Sequence, residues 1–430
     1  MGNIYKSLII SPNKNKSLTV LNPGYLVIDS KGVILEVSKE DPRNKFKSFQ
    51  YYDYSKCLIL PGFIDTHTHL PQYSFVGLGG SEELLPWLEK YTFPEEDKFK
   101  SDEISRERSR IFFRDAIRNG TTCIAAYTTI HKNACDIAFE EAGKSKIRAI
   151  IGKVMMNQNS PKYLIEKTED SINTSLELAE KWNGFNDRLY YALTPRFAVT
   201  CSIELLKRIA EIAEKNNLYI QSHLSENKNE IVFIKKIYPK YKSYTDVYYQ
   251  TGILGPKTIM AHCIHLDEDE VNMIKYTKTK VVHCPTSNRF IKSGVMPLRK
   301  YLNNNLTVGL GTDVAGGYSL SMFNEMKESI EMSKISGLYS KEKDNAISPE
   351  EALYLATLGG AETLSLEKEI GSLEKGKKGD FLIIDYRKSD PLNGKSEFNK
   401  PDEILSRIIY RESCSIVKHV FINGEEINTS

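Results

Sequence analysis

Two histidines one residue apart, His67 and His69, close the run Leu60-Pro-Gly-Phe-Ile-Asp65-Thr-His67-Thr-His69. Residues two apart on a β-strand point to the same face, so both imidazoles can turn toward one metal ion. The apolar Cys57 to Leu60 and Phe63-Ile64 predict buried strand, Pro61-Gly62 a kink, and Asp65 to His69 the exit from the core. A lone His-x-His is a weak signal, since packed or solvated pairs are common. Three further clusters strengthen it: Ser222-His223-Leu-Ser-Glu226 after Leu218 to Gln221, Met260-Ala-His262 after Thr258-Ile259, and Gly311-Thr-Asp313 after Leu306 to Leu310. Each ends a short apolar run with a metal ligand or an acid/base group. Such a set points to hydrolysis, because a bound divalent ion lowers the pKa of water toward about 7 and makes a nucleophile at neutral pH.

The elements that must position these groups are repeated βα units. From Asp65 to Asp313 short apolar runs alternate with longer amphipathic ones, the pattern of helices packed around a parallel sheet. Eight strands are predicted: 57–65, 121–127, 147–155, 188–193, 218–222, 258–261, 280–283 and 306–311. Helices fall between them, such as Glu103 to Arg118, stopped by Asn119-Gly120, and Ile203 to Lys215. The expected fold is therefore α/β, a (β/α)8 barrel, whose sites form at the C-terminal strand ends where the four clusters fall. A helical stretch from Pro349 to Leu366 follows. The ends of the chain read differently, as short strands separated by Gly, Asn and Pro turns: 7–10, 19–21, 25–29 and 33–37 before the barrel, 381–385, 408–410 and 417–422 after it. Residues 1–60 and 370–430 are each small for a core of their own. The expectation is that they pair into one composite β-sandwich beside a barrel of residues 61–369.

Composition narrows the function classes. The 430 residues can bury a large core, and a net charge of +2 with evenly mixed signs gives no basic stripe for nucleic acid. No stretch is long and apolar enough to span a bilayer, and Met1 to Ser7 lacks a signal-peptide core. Seven scattered cysteines without Cys-x-x-Cys favour reduced thiols and a cytoplasmic location. Gly309-Leu-Gly311 is not a dinucleotide fingerprint, because Val314 stands where the third glycine belongs.

The set Pro-Gly-Phe-Ile-Asp-Thr-His-x-His, His223, His262 and Asp313, with Gly371-Ser-Leu-Glu-Lys-Gly-Lys-x-Gly-Asp380-Phe, resembles the amidohydrolase superfamily over essentially the whole chain. Within it Pro71-Gln-Tyr-Ser-Phe75, Trp87 to Pro94, Pro195-Arg-Phe197 and His223-Leu-Ser-Glu226 resemble the guanine deaminase family. The resemblance implies a barrel with a composite β-domain, a homodimer, and one divalent metal, zinc or alternatively iron(II). It implies His67, His69, His223 and Asp313 as ligands, with His262 orienting the activated water. The two-metal relatives need a bridging lysine, and the fourth strand here ends Thr194-Pro-Arg196 without one; Lys153, on the third strand, reads as structural.

Hydrolytic deamination of guanine to xanthine and ammonia needs a proton donor for the ring nitrogen beside the attacked carbon. Glu226, three residues after His223, is expected to supply it, and Asp313 to relay the water proton to the leaving ammonia; such transfers contribute roughly 10²- to 10⁴-fold each. A ring nitrogen and a carbonyl oxygen of guanine form adjacent acceptors that match two parallel donors of Arg196. Gln72 is expected on the far edge of the ring and Phe197 and Trp87 against its faces, with His223 also near the substrate. Gly77 to Gly80 and a helix over Glu82 to Lys90 are expected to form a lid. His265 and His283 read as supporting or loop residues, and His131 and His419 carry no motif. Two other readings compete: the same scaffold acting on 8-oxoguanine, an adenosine-type nucleoside or an s-triazine, and a metal-free assembly protein, disfavoured because every ligand is present.

Overall fold

The computed structural model describes residues 2–339, 346–411 and 414–428. In chain order its strands are β1 (Asn3–Pro12), β2 (Leu18–Ile28), β3 (Ile34–Ser38), β4 (Gln50–Pro61), β5 (Phe63–His69), β6 (Thr121–Tyr127), β7 (Arg148–Gly152), β8 (Val154–Met155), β9 (Leu189–Pro195), β10 (Tyr219–Leu224), β11 (Thr258–His262), β12 (Lys280–His283), β13 (Val308–Leu310), β14 (Phe381–Ile384), β15 (Val417–Ile422) and β16 (Glu425–Glu426). The barrel sheet runs β5-β6-β7-β9-β10-β11-β12-β13, all pairs parallel, with the short β8 pairing β9. Its strands are buried on both faces and read as near-continuous apolar runs, as parallel strands covered by helices must.

The seam between β13 and β5 is closed partly by side chains. Asp313 N–H donates to His67 O at 2.9 Å and Thr66 Oγ1 to Leu310 O at 2.8 Å. The Asp65 carboxyl accepts from Thr312 N and Oγ1 at 3.0 and 2.6 Å. Burial pushes the Asp65 carboxyl up to about 7, against the pull of those hydrogen bonds. Two of the predicted metal ligands, His67 and Asp313, thus flank the seam.

The terminal segments meet in one seven-stranded mixed sheet, β16-β15-β14-β4-β1-β2-β3. β14 pairs antiparallel with β4, Leu382 opposite Leu60, so the last part of the chain lies against the strand that leads into the barrel. Phe381 and Phe421 stack at 4.3 Å in the apolar cluster of this sheet, with Tyr5 edge-on to both.

Several sequence expectations are corrected. The predicted first strand, 57–65, is two strands of different sheets: Cys57 to Pro61 end β4, and β5 begins at Phe63. Gly62 is the break; its N–H donates to Asp380 O, and a Cβ there would lie 2.1 Å from Thr122 Oγ1. Ile408 to Tyr410, predicted as strand from its branched residues, ends the helix Pro401–Tyr410. Proline at the helix start and buried Ile404, Leu405, Ile408 and Ile409 make a helical stripe that outweighs local β-propensity. The predicted helix over 349–366 breaks at Thr357 into Pro349–Ala356 and Leu358–Thr363. The strands predicted at 19–21 and 25–29 are one, β2, since Asn22-Pro23 lies within the run.

Candidate active site

Four strand ends deliver the clustered groups. His67 and His69 end β5, His223 lies on β10, His262 ends β11, and Asp313 follows β13. His67 Nε2 is 3.1 Å from Asp313 Oδ1, His69 Nε2 is 3.5 Å from the same oxygen, and His69 Nε2 lies 3.1 Å from His223 Nε2. Ligand atoms of His67, His223, His262 and Asp313 all fall within 4.8 Å of one another, and all four residues are buried. The five predicted groups therefore converge on one point.

The outward nitrogens of His223 and His262 are already committed, which fixes what their inward ones offer. His223 Nδ1 donates to Arg196 O at 2.6 Å and His262 Nδ1 to Asn288 Oδ1 at 2.8 Å, so each Nε2 turns a lone pair inward. Tyr248 Oη donates to His223 O at 3.0 Å and lies 2.9 Å from Ser222 Oγ, holding the end of β10. Burial lowers the pKa of His67 and holds those of His69 and His223 well below the imidazole range. Burial alone would raise Asp313, but the His67 imidazole, with His262 and His69, outweighs it and keeps the carboxylate ionised. His67 Nε2 and His262 Nε2 have no hydrogen-bond partner despite burial. Three imidazoles, His67, His69 and His223, and the Asp313 carboxylate, gathered at one point, fit a divalent cation of borderline softness.

Glu226 follows β10 and is turned into the site at Ser225, whose φ is 48°. The backbone N–H groups of Glu226 and Asn227 donate to Glu230 Oε2 at 3.0 and 3.2 Å, fixing the turn. Glu226 Oε1 accepts from Ser293 Oγ at 3.0 Å, and Oε2 lies 3.3 Å from His262 Nε2. Burial pushes the Glu226 carboxyl up to about 7 despite the opposing pull of His262. For His262 burial opposes protonation, yet the Glu226 and Asp313 carboxylates outweigh it and raise the imidazole.

His69, His223, Glu226, His262 and Asp313 line a small cavity together with Gln72, Trp87, Arg196, Phe197 and Ile291. The helix expected over Glu82 to Lys90 starts later and runs on further: Leu84–Trp87 is α-helical, Leu88–Thr92 is a wider π-type turn, and Phe93–Asp97 resumes the helix. Trp87 Nε1 donates to Leu78 O at 3.2 Å, and its ring packs 5.5 Å from Phe75. Lys292 Nζ donates to Ser81 O and Asn229 Nδ2, on the helix Lys228–Ile237, to Glu83 Oε2, tying this segment to the chain that follows β12 and β10.

Arg196 and Gln72 reach the cavity in company that the sequence did not reveal. Arg196 Nη1 donates to both carboxylate oxygens of Glu96 at 2.8 Å, Gln72 Nε2 donates to Glu96 Oε1 at 3.2 Å, and Ala315 N donates to Gln72 Oε1 at 3.2 Å. Glu96 reads in the sequence as one more acidic residue in a charged stretch, and only its complete burial sets it apart. Ser293, Asn288 and Glu230 were also missed; Asn288 alone had a signal, standing in the polar loop after His283. Of the other histidines, His265 Nε2 donates to Ser293 O at 2.8 Å, His283 is buried outside the cluster, and His131 and His419 lie beside Asp97 and Glu426, away from the site. Lys153 is buried in an ion pair with Glu166 at 2.6 Å, a structural tie.

The amidohydrolase family model matches residues 58–427. The chain is 41% identical over 371 residues to guanine deaminase of Escherichia coli K12, covering 86% of this chain and 79% of that protein. It is 34% identical to the Rattus norvegicus guanine deaminase over 99% of this chain and 96% of that one. A crystal structure of guanine deaminase from C. acetobutylicum with guanine bound in its active site superposes with a TM-score of 0.94 at 37% identity, over all of both chains.

Proposed function

Since the chain belongs to the amidohydrolase family, and to the guanine deaminases within it, we infer that it hydrolyses guanine to xanthine and ammonia. One observation carries the reading: a buried acid, Glu226, shares a small cavity with a convergent His/Asp cluster and with a guanidinium and an amide suited to a purine edge.

His67, His69, His223 and Asp313 would hold one divalent metal, zinc by the chemistry of three imidazoles and a carboxylate with iron(II) as the alternative, and when bound it supplies acidified water for attack. His262, its Nδ1 spent on Asn288, presents Nε2 between Glu226 and Asp313 and orients that water. Glu226 protonates the ring nitrogen beside the attacked carbon, so that the ring accepts the electrons of the forming bond. Its carboxyl, pushed up to about 7, is poised to give and regain a proton near neutral pH. Asp313 Oδ2, 3.6 Å from His262 Nε2, takes the water proton and passes it to the departing amine.

Arg196 keeps Nε and Nη2 for the carbonyl oxygen and adjacent ring nitrogen of guanine, since Nη1 is engaged by Glu96. Gln72 offers its second amide proton to the far edge. Phe197 and Trp87 wall the ring, and His223 borders it. The division into residues 61–369 and a composite unit of 1–60 with 370–430 is supported by the pairing of β14 with β4. The family resemblance supports a homodimer, and six buried unpaired cysteines support a cytoplasmic location.

Purified chain, assayed for bound metal, would be offered guanine, 8-oxoguanine, adenosine and an amino-s-triazine side by side, with ammonia as the readout and molar mass followed by light scattering. Guanine turnover that a chelator abolishes is the expected result. Preference for another ring would overturn the assignment of Gln72 and Arg196.

A further inference from the structure

Glu96 is fully buried in the helix Phe93–Asp97, and the chemistry above gives it no proton to move and no contact with the ring. Its two oxygens take three charge-assisted or amide hydrogen bonds, two from Arg196 Nη1 and one from Gln72 Nε2. The residue three positions earlier on the same helix, Phe93, places its ring 5.5 Å under the Arg196 guanidinium. Glu96 and Phe93 thus clamp Arg196 from one helix, and among the described residues Arg196 Nε and Nη2 have no protein partner. The two side chains expected to read the purine therefore share one buried anion.

We propose that Glu96 is a positioning and specificity residue, which aims the Arg196 and Gln72 donors at the purine edge and cancels the Arg196 charge so that the site favours a neutral ring. This rests on the guanine reading above. Its consequence concerns product as well as substrate. Guanine is neutral around pH 7, whereas xanthine, with a second carbonyl to stabilise the conjugate base, loses a ring proton much more readily. A lone guanidinium in a buried pocket would hold that anion strongly. A guanidinium paired with Glu96 would not, so ionised product leaves.

The test compares Glu96→Gln, Glu96→Asp, Arg196→Met and the double variant Glu96→Gln/Arg196→Met, each checked for metal content and melting temperature. In the Gln variant kcat/KM for guanine is expected to fall about tenfold or more, chiefly through KM, with metal content unchanged. Its xanthine Ki is expected to tighten about tenfold from pH 6 to pH 9 while that of the wild type moves less than about threefold. Because Glu96 acts through Arg196, its removal costs little further in the Arg196→Met background, a pattern that general loss of packing does not produce. If Glu96→Gln does not fold, Glu96→Asp serves: the charge stays, so Ki keeps its wild-type pH dependence, while the withdrawn carboxylate raises KM. A folded, metal-loaded variant with kcat/KM within about twofold of wild type and an unchanged Ki profile overturns the proposal. Wild-type protein that releases no ammonia from guanine overturns the reading beneath it, and Glu96 falls with it.

Discussion

Replacing Glu226 by glutamine should cost nearly all activity and yet stabilise the apoprotein. The side chain keeps its volume, Gln Oε1 still accepts from Ser293 Oγ, and the amide can donate to His262 Nε2, which lies 3.3 Å from Glu226 Oε2 in the native protein. What is lost is a proton donor, expected to lower kcat by roughly 10²- to 10⁴-fold, or about 3–5 kcal/mol of barrier. What is gained follows from the carboxyl being pushed from 4.5 up to about 7. A raised folded-state pKa means that the folded protein penalises ionisation. The penalty is absent below the unfolded value of 4.5, grows between 4.5 and about 7, and is complete above that. At 1.36 kcal/mol per pH unit it reaches about 3 kcal/mol at pH 8 and stays below about 1 kcal/mol at pH 5. Glutamine never ionises and escapes it. For a 430-residue chain this is a rise of about 3 °C in melting temperature at pH 8, shrinking at pH 5. The assay is thermal denaturation of chelator-treated wild type and variant at both pH values, with ammonia release from the metal-loaded forms. Turnover within about tenfold of wild type would remove Glu226 from proton transfer. A variant that melts lower than wild type at pH 8 would refute the claim that the native carboxyl is held under strain.

His283, buried and pushed down to about 3 by burial, should make the protein acid-labile. Its contribution is present above pH 6.5 and lost progressively as pH falls toward 3, about 2 kcal/mol by pH 5, so denaturant titrations at pH 8 and 5 should differ by about that much less in His283→Asn; an unaltered difference would refute it. Removing the metal should abolish ammonia release and lower the melting temperature, with zinc restoring both; at a thousandfold excess of ion over its Kd the stabilisation is about 4 kcal/mol, and a calorimetric trace indifferent to chelator would contradict the assigned donor set. Trp87→Ala should destabilise by about 3–5 kcal/mol and raise KM for guanine, since it deletes both the packing on Phe75 and the hydrogen bond to Leu78. Equilibrium unfolding and steady-state kinetics check this, and an unchanged KM would take Trp87 out of the substrate wall.

The barrel was legible because its signals are local and repeated. Each strand is a short apolar run ended by polar residues, and the period-2 geometry of His67 and His69 can be read without knowing where the partner strands lie. The split at Gly62 was not legible, because Leu60 and Phe63 look alike in sequence and only their neighbours, Leu382 and Gly120, tell which sheet each joins. Helix Pro401–Tyr410 was obscured for the opposite reason: its last three residues, taken alone, favour strand. Glu96 shows the deeper limit. A carboxylate at the surface and one locked under an arginine have the same letter, and only tertiary burial separates them. Asn288 and Ser293 likewise matter through which histidine or acid they touch, a relation across 26 and 67 residues that spacing does not encode.

The pairing of β14 with β4 has a consequence for how the protein comes into being. A ribosome releases β4, and then His67 and His69, more than 300 residues before the strand that lies beside β4 is made. Until Phe381 to Ile384 emerge, β4 keeps one edge open, and Gly62 lacks the Asp380 carbonyl that receives its N–H. Completion of the catalytic face is thus coupled to the synthesis of residues 381–384. A nascent or truncated chain that stops before residue 380 contains every group lining the cavity, but the strand carrying His67 and His69 has not been fastened behind it. Premature termination should therefore yield an idle fragment rather than a working hydrolase.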